Sequence, residues 1–347
     1  MFGRLGLANF GLRNCKGVSN PIPGLKGILG FYMGKGLTNE EMSKNPVWKD
    51  KSGLGNDFQM KNFAWGGMSG MDGYNYNFKD SSKWGVSANQ LKEHSSNKIV
   101  INNKFNVVQL SYIGTSIKIT LKVSGLNENS SRLKVYDNVN SSKTQEYNSD
   151  GIYEINYIAN EGATAIFFYV LGGNIGKLDV PIIIEQFSLY SGAIVFDGVN
   201  DYGICETFPV LTKEKGYTVM ALRKYITDPI VKITSGLASK YVSPDYGAFC
   251  FEFTASGVLY TRNFGVLNTL SEYPDLVTWQ TSKFYNGTSI LIGDSLETES
   301  LFVGRYNSTY ANVALYSLVV IDHDTTEAER QLVIDYWKKE YPELFID

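Results

Sequence analysis

Hydrophobic and polar residues alternate along much of this chain. The clearest case is SIKITLKVSGL, where apolar residues at 117, 119, 121 and 123 alternate with lysine and threonine. A repeat of two puts successive side chains on opposite faces, so this segment predicts a strand with one buried face. Similar segments separated by Asn, Ser and Gly turns predict further strands at 132–137, 151–158, 164–172 and 180–190. Short strands at hairpin spacing without a helical period are typical of a β-sandwich.

A separate series of apolar segments lies on either side of that block. It predicts strands at 25–33 and 58–63 before the block, and at 192–198, 217–226, 246–265, 289–294, 300–307 and 313–322 after it. Glycine-rich turn clusters separate these segments, which again favours antiparallel strands. The sequence therefore predicts an all-β protein.

One amphipathic helix is predicted, close to the end of the chain. Thr326 and Glu329 form the S/T-x-x-E pattern of a capping box. Apolar residues at 332, 333, 336 and 337 fall on one stripe, so the helix is expected to pack onto a sheet. By contrast, GKGLTNEEMSKNP at 34–46 is interpreted as a polar loop.

The patterns divide the chain into four parts. Composition changes to Gly, Tyr, Asn and Ser at 70–83, which predicts a crossing between domains. Residues 1–24 lack periodicity and are interpreted as an anchoring arm, 25–71 and 189–347 as two parts of one sandwich, and 72–188 as a second sandwich inserted between them. The apolar residues expected to anchor the arm to a partner are Phe2, Leu5, Leu7, Phe10 and Leu12.

Composition narrows the functional classes. The 347 residues include 34 glycines and 23 tyrosines but only 9 prolines, a mixture that suits twisted sheets joined by turns. A net charge of −3 offers no basic surface for nucleic acid. No segment approaches the apolar length of a membrane span, and the first residues lack the apolar core of a signal peptide. Three scattered cysteines, Cys15, Cys205 and Cys250, predict buried thiols rather than disulfides or a zinc site.

Two turn motifs carry a family resemblance. DKSGLGND at 50–57 and VFDGVNDYG at 195–203, together with the strand-to-helix ending at 313–341, resemble concanavalin A-like, laminin-G-like lectin domains. In such domains the two motifs lie close together, whereas here more than a hundred residues separate them. The resemblance therefore implies a concanavalin A-like jelly-roll β-sandwich interrupted by an inserted second β-sandwich, with a short C-terminal α-helix.

This arrangement is also similar to virion proteins of crass-like and other phages that infect gut Bacteroidota. It implies a non-enzymatic fibre or decoration protein of the head or tail, made in the host cytoplasm and displayed on the virion surface. Its expected partners are other virion proteins, further copies of itself in a homo-oligomer such as a trimer, and host surface polysaccharide. The alternative is a free-standing carbohydrate-binding module, and a polysaccharide-cleaving enzyme is a distant third.

The acidic corner around Asp197 and Asp201 admits three interpretations. We expect a structural turn, because Asp-Gly pairs form β-turns and aspartate bonds nearby backbone. The second interpretation is a calcium site in which the corner gains oxygen ligands from Asp50, Asn56 and Asp57. The third is a catalytic carboxylate pair. Apart from that calcium ion, no cofactor is expected.

Other titratable residues give weak evidence for catalysis. Glu252 stands alone on an alternating strand, and Glu297 and Glu299 lie in an apparent turn. The two histidines, His94 and His323, are in polar segments without a nucleophile motif, and His323 is expected to lead into the helix. No catalytic residue is therefore predicted.

Exposed aromatic residues are the remaining candidates for binding, since sugar rings present apolar C–H faces that stack on aromatic rings. Burial in a core or interface is the commoner fate of such side chains. The candidates in or near the inserted segment are Tyr74, Tyr76, Trp84, Tyr136 and Tyr157.

Overall fold

The structure is a computed structural model. It describes residues 20–66, 69–72, 84–86, 91–92, 98–103, 107–111, 116–142, 144–172, 177–209, 211, 216–226, 238–240, 249–255, 258–262, 267–281, 300–306 and 309–346. Within these residues no helix combines the length and apolarity needed to cross a bilayer.

The described elements are almost all strands. From the start of the chain they are β1 (Ile28–Met33), α1 (Asn39–Lys44), β2 (Val47–Trp48), β3 (Phe58–Lys61), β4 (Gly70–Asp72), β5 (Trp84–Val86), β6 (Leu91–Lys92), β7 (Lys98–Asn103), β8 (Val107–Ser111), β9 (Ser116–Ser124), β10 (Arg132–Asp137), β11 (Gln145–Tyr147), β12 (Gly151–Ile158) and β13 (Ala165–Leu171). They continue with β14 (Lys177–Phe187), β15 (Tyr190–Asp197), β16 (Tyr202–Cys205), β17 (Thr218–Tyr225), β18 (Ala238–Lys240), β19 (Phe249–Ala255), β20 (Val258–Arg262), β21 (Leu267–Leu270), β22 (Tyr273–Thr281), β23 (Leu301–Val303), β24 (Arg305–Tyr306), β25 (Thr309–Tyr310), β26 (Asn312–Ile321), α2 (Glu327–Glu340) and a 3₁₀ turn at Pro342–Leu344.

Two larger sheets form the first sandwich. Among the described strands, sheet I has the order β21-β22-β17-β26-β15-β4, with β1 also paired to β26, and sheet II has the order β2-β3-β16-β23-β18-β19-β20. Phe196 and Val219 from sheet I share one buried core with Trp48 and Phe58 from sheet II. The two sheets therefore pack face to face, because each must bury one apolar face.

Two smaller sheets form the second sandwich. Their orders in the described chain are β11-β10-β13-β8-β5 for sheet III and β12-β9-β14-β7-β6 for sheet IV. Leu133 and Phe168 from sheet III meet Ile119 and Leu121 from sheet IV in a separate core. The alternation predicted over 117–123 is confirmed at 119, 121 and 123, which are buried, while Lys122 faces solvent.

The chain leaves the first sandwich and returns to it at neighbouring positions of sheet I. β4 pairs antiparallel with β15 so that Asp72 lies opposite Tyr190. The strands between them, β5 to β14, pair with one another in the described chain. The pairing is compatible with an inserted domain, and the domain boundaries themselves stay a prediction that excising the segment would test.

Helix α2 covers the outer face of sheet I. Its capping box is present, with Glu329 N–H donating to Thr326 Oγ1 (3.3 Å) and Thr326 N–H donating to Glu329 Oε2 (2.8 Å). Val333 and Trp337 are fully buried against sheet residues such as Met220. The predicted C-terminal helix and all-β fold are thus confirmed.

Two local predictions need correction. The loop predicted at 34–46 contains the six-residue helix α1, which begins at Thr38 with a second capping box and is anchored by the buried Met42. Strand β22 was not predicted, because Pro274 near its start weakens the strand pattern.

Candidate functional site

Three aromatic rings lie together on the outer face of sheet III. Tyr136 on β10 is directly opposite Phe167 on β13, and their ring centroids are 5.3 Å apart. Tyr169 lies two residues further along β13, with its ring edge-on to Tyr136 at 6.4 Å. All three are half-buried, whereas their inward neighbours on the same strands are fully buried. This group, Tyr136, Phe167 and Tyr169, is called the aromatic face below.

Charged side chains lie next to the aromatic face. Arg132 and Lys134 occupy the two preceding outward positions of β10, and Lys134 is directly opposite Tyr169. Glu146 on the edge strand β11 contacts both cations, at 2.7 Å from Lys134 Nζ and 3.1 Å from Arg132 Nη1. The surface therefore combines ring faces, phenol hydroxyls and an ion-pair network. It can stack on an apolar ring and hydrogen-bond to its substituents.

Of the five predicted glycan-binding residues, Tyr136 is on this face and Tyr157 is not. Tyr157 is only 2% exposed, so the prediction of an exposed platform is wrong for this residue. Its hydroxyl donates to Asp137 Oδ2 (3.0 Å) and accepts from the Asp137 N–H (3.1 Å). Desolvation, followed by the Asp137 hydrogen bond, raises the pKa of Tyr157 to about 12.

Asp137 is the centre of a buried network that closes one end of the second sandwich. Its carboxylate accepts from the backbone N–H groups of Val139, Asn140 and Asn160 at 2.8–2.9 Å. Burial opposes ionisation, yet these hydrogen bonds prevail and lower the pKa of Asp137 to about 2. The Tyr157–Asp137 pair is therefore structural.

Several predicted residues lie outside the described residues. They are Tyr74 and Tyr76 among the glycan-binding candidates, and all five anchoring residues Phe2, Leu5, Leu7, Phe10 and Leu12. Trp84 is described only as part of strand β5. For these residues the sequence predictions stand untested.

The acidic corner carries the chain from sheet I to sheet II. Asp197 ends β15, and its Oδ1 accepts from the N–H groups of Val199 (2.7 Å), Asn200 (3.2 Å) and Asp201 (3.4 Å). Gly198 has a φ of +76°, and a Cβ there would lie 2.9 Å from Asn312 Cβ, so only glycine fits without strain. This is the structural turn expected from the sequence.

Asp201 is completely buried within the same corner. Its Oδ2 accepts from the Asp197 N–H at 3.1 Å, and the Ser69 side chain also hydrogen-bonds to it. Its Oδ1 has no hydrogen-bond partner among the described residues. Burial raises the pKa of Asp201 to about 7, with a further contribution from the charge of Asp197 and opposition from the Ser69 hydrogen bond. A carboxyl group with 0% exposure cannot reach a polymer substrate, which argues against the catalytic pair.

The turn at 50–57 has a separate role, the protection of strand β1. Asp50 Oδ1 accepts from the Phe31 N–H (3.0 Å), and the Phe31 carbonyl accepts from the Lys51 N–H (2.7 Å). Asn56 Nδ2 donates to the Leu29 carbonyl (2.6 Å). The turn thus supplies hydrogen-bond partners to backbone groups on the edge of β1 that is not paired with β26.

The two turns do not form one calcium site in the described chain. Asp57 accepts from the Asp50 N–H (2.8 Å) and pairs with Lys49 (2.7 Å), so its oxygens serve its own turn. No group of three or more His, Cys, Asp or Glu side chains is arranged so that it could hold a metal ion among the described residues. The predicted grouping of Asp50, Asn56 and Asp57 with Asp197 and Asp201 is therefore not assembled.

The remaining candidates for catalysis are placed as follows. His323 lies 2.9 Å from Asp322 and 3.2 Å from Glu329, and these acids, Asp322 first, raise its pKa despite partial burial. It therefore forms part of the lead into α2, as the sequence suggested. Glu252 is described only as part of β19, and His94, Glu297 and Glu299 lie outside the described residues. Cys205 is a buried free thiol, as predicted.

Sequence reasoning missed two members of the aromatic face and one further aromatic group. Phe167 and Tyr169 lie in AIFFYVL, where an unbroken apolar run hides which side chains point outward. Beside sheet II, the guanidinium of Arg305 lies 4.9 Å from the ring centre of Tyr202, 5.6 Å from that of Phe302 and 5.8 Å from that of Tyr310. These four residues come from four separate strands, and Tyr202 is about a hundred residues away in the chain, so the fold brings it to the other three.

Comparisons with known proteins add little. No family model matches the chain, and no curated protein matches it. One similar solved structure is a truncated AlyQ with CBM32 and alginate lyase domains, at 10% identity, covering 70% of this chain and 97% of that chain. Its TM-score is 0.16, a value too low to support a shared fold or function.

Proposed function

We propose that this chain is a non-enzymatic binding protein of a phage virion, which attaches to surface glycan through the aromatic face of its second sandwich. The observation that carries the binding function is the cluster of Tyr136, Phe167 and Tyr169 on the outside of sheet III. Large aromatic side chains normally bury their area in a core. Three of them side by side on the outer face of one sheet favour a surface that receives a ligand ring.

The surroundings of the rings support a saccharide over a purely apolar ligand. Lys134 and Glu146 form an ion pair at 2.7 Å beside Tyr169 and offer hydrogen-bond donors and acceptors. A sugar needs both an apolar platform and polar groups at its rim, and this face supplies both. The fold by itself assigns no activity, since β-sandwiches host binding and catalysis alike.

The virion setting rests on the sequence resemblance described above. In this proposal the arm at 1–24 attaches the protein to other virion proteins, and several copies, such as a trimer, present the aromatic face together. Single saccharide sites are weak, so multiple copies raise the effective concentration without new contacts. A free-standing lectin-like module is the alternative, and it would use the same face.

Binding is tested by affinity electrophoresis in gels containing surface polysaccharides, with Tyr136→Ala as the test variant. We expect about a fivefold loss of affinity, because one aromatic contact contributes about 1 kcal/mol. Phe187→Ala is the matched control, since Phe187 is an exposed aromatic residue on sheet IV and is 38% exposed. Equal retardation of both variants and the wild type would refute binding through the aromatic face.

The virion setting is tested separately, by mass spectrometry and cryo-electron microscopy of purified particles. We expect the protein in the particle in more than one copy per attachment site. Because Ile22 is buried in the core beneath helix α2, the arm is tested by deleting residues 1–19 only, and we expect this deletion to prevent incorporation. Particles that carry the truncated protein at normal occupancy would exclude the anchoring role. Purified protein should leave bacterial and plant polysaccharides uncleaved, and cleavage that disappears in Glu252→Gln would instead favour the enzyme.

A further inference from the structure

The charged residues beside the aromatic face are not balanced. Arg132 and Lys134 carry two positive charges on alternate outward positions of β10, and Glu146 carries one negative charge between them. Outward positions of one strand follow each other at about 7 Å, so the cations continue the row that Tyr136 begins. The row is therefore cationic at one end and aromatic at the other.

The contact with Glu146 shows that this pair of cations accommodates a carboxylate. Glu146 Oε1 lies 2.7 Å from Lys134 Nζ, and Oε2 lies 3.1 Å from Arg132 Nη1. The hydrogen bond from Lys134 is the main reason that the pKa of Glu146 is lowered. The side chain of Arg132 is 51% exposed, so its guanidinium, with five donors, also faces solvent.

We infer that the ligand of the aromatic face is an anionic saccharide, with a carboxylate or sulfate held by Arg132 and Lys134 while its ring stacks on Tyr136, Phe167 and Tyr169. This inference rests on the proposed binding function and specifies its ligand. Glu146 competes with the ligand for the same cations and weakens binding of the anion. Glu146 thereby sets how strongly the face discriminates acidic from neutral glycans.

The test compares three probes on the full-length protein: a uronic acid polysaccharide, the same polysaccharide after chemical reduction of its carboxyl groups, and a sulfated polysaccharide. We expect the reduced polymer to bind about fivefold more weakly than the acidic one, because exposed ion pairs contribute modestly. The difference should shrink at high salt, which screens exposed charges. If the sulfated and the carboxylated polymers both bind more tightly than the reduced polymer, and to the same extent, the face recognises negative charge. If only the carboxylated polymer binds more tightly, the face recognises uronic acids. Both outcomes support the inference.

Three variants separate the contributions. Lys134→Gln should weaken binding of the acidic polymer more than it weakens binding of the reduced polymer. Glu146→Gln should strengthen binding of the acidic polymer by about twofold to fivefold, a gain that loss of structure would not produce. Lys98→Gln, which removes a cation paired with Glu185 at 3.4 Å on sheet IV, is the control and should change neither.

The outcomes also distinguish this inference from the binding function itself. If acidic and reduced polymers bind equally and Tyr136→Ala weakens both, the aromatic face binds glycan and the inference about charge is wrong. If no polymer binds and Tyr136→Ala has no effect, the proposed binding function has failed as well. Weaker binding of the acidic polymer by Glu146→Gln would also overturn the inference.

Discussion

Replacing the buried Asp201 by asparagine should make the protein more stable at alkaline pH. The amide resembles the protonated acid in shape and keeps an acceptor for the Asp197 N–H, which lies 3.1 Å from Asp201 Oδ2. The amide is also uncharged, so it places no charge in a site that is 0% exposed. In the wild type, ionisation of Asp201 places a charge there next to Asp197, and its Oδ1 has no partner among the described residues.

The sign follows from proton linkage. Burial raises the pKa of Asp201 from an ordinary value of 3.8 to about 7, so between these values the folded state binds more protons than the unfolded state. The free energy of unfolding therefore falls as pH rises through this range. The pKa of about 7 lies two units above pH 5, and one unit is about 1.4 kcal/mol, so raising the pH from 5 to 8 lowers the free energy of unfolding by about 2.7 kcal/mol.

The assay is urea denaturation at pH 5 and pH 8, followed by tryptophan fluorescence. Trp48 and Trp337 are buried in and against the first sandwich, so the fluorescence of these two residues reports on the part that contains Asp201. The stability advantage of Asp201→Asn over the wild type should grow by about 2.7 kcal/mol between pH 5 and pH 8. His323 titrates in both proteins and cancels in this comparison.

Asp275→Asn, which removes an exposed carboxylate on β22, should not reproduce the effect. A constant difference between wild type and Asp201→Asn at both pH values would refute the reasoning, because it would mean that folded Asp201 is already charged at pH 5.

Four further predictions follow from the same structure. Asp197→Ala should lower the free energy of unfolding by about 1–2 kcal/mol, through loss of an acceptor used by Val199 and Asn200, while Asp197→Asn retains most of it; equal losses in denaturation would contradict this. Millimolar calcium should shift the melting temperature by less than about 1 °C, whereas a shift of several degrees in calorimetry would indicate a bound ion. The second sandwich should lose stability as pH falls from about 4 to 2, because the folded pKa of Asp137 is lowered to about 2; Asp137→Asn should abolish that loss in circular dichroism. Replacing 73–189 by a short Gly-Ser link should leave the first sandwich folded, since Asp72 and Tyr190 lie opposite each other; a molten product by near-ultraviolet circular dichroism would show that the two parts depend on each other.

Residues of a strand that are an even number of positions apart, here called residues of the same parity, lie on the same face of the sheet. In RLKVYD, Tyr136 has the same parity as Arg132 and Lys134, and all three face outward in the structure. In GIYEINYI, Tyr157 has the parity of the buried Ile155 and the opposite parity to Glu154. Because polar residues mark the solvent face of a strand, the sequence alone could have separated the exposed tyrosine from the buried one.

Local chemistry determined the rest of what the sequence predicted. Alternation over β9, β10 and β12 defined these strands, and the Thr326–Glu329 capping box fixed the start of α2, because both signals act between residues close in sequence. Helix α1 was not predicted, because its six residues, between a Gly-rich segment and a proline, are too few to show a helical period. Thr38 and Glu41 nevertheless provided the capping-box signal.

Only the tertiary structure decided the properties that depend on neighbours distant in the chain. The apolar run of β13 contains no polar residue to mark a face, so pairing with β10 decided that Phe167 and Tyr169 join Tyr136. Asp201 follows an Asp-Gly turn whose sequence favours solvent, and packing of the corner where sheet I meets sheet II buried it. The sequence by itself determined strands, turns and helix starts through short-range sterics and hydrogen bonding. The fold determined burial, because burial depends on what other strands place on top of a side chain.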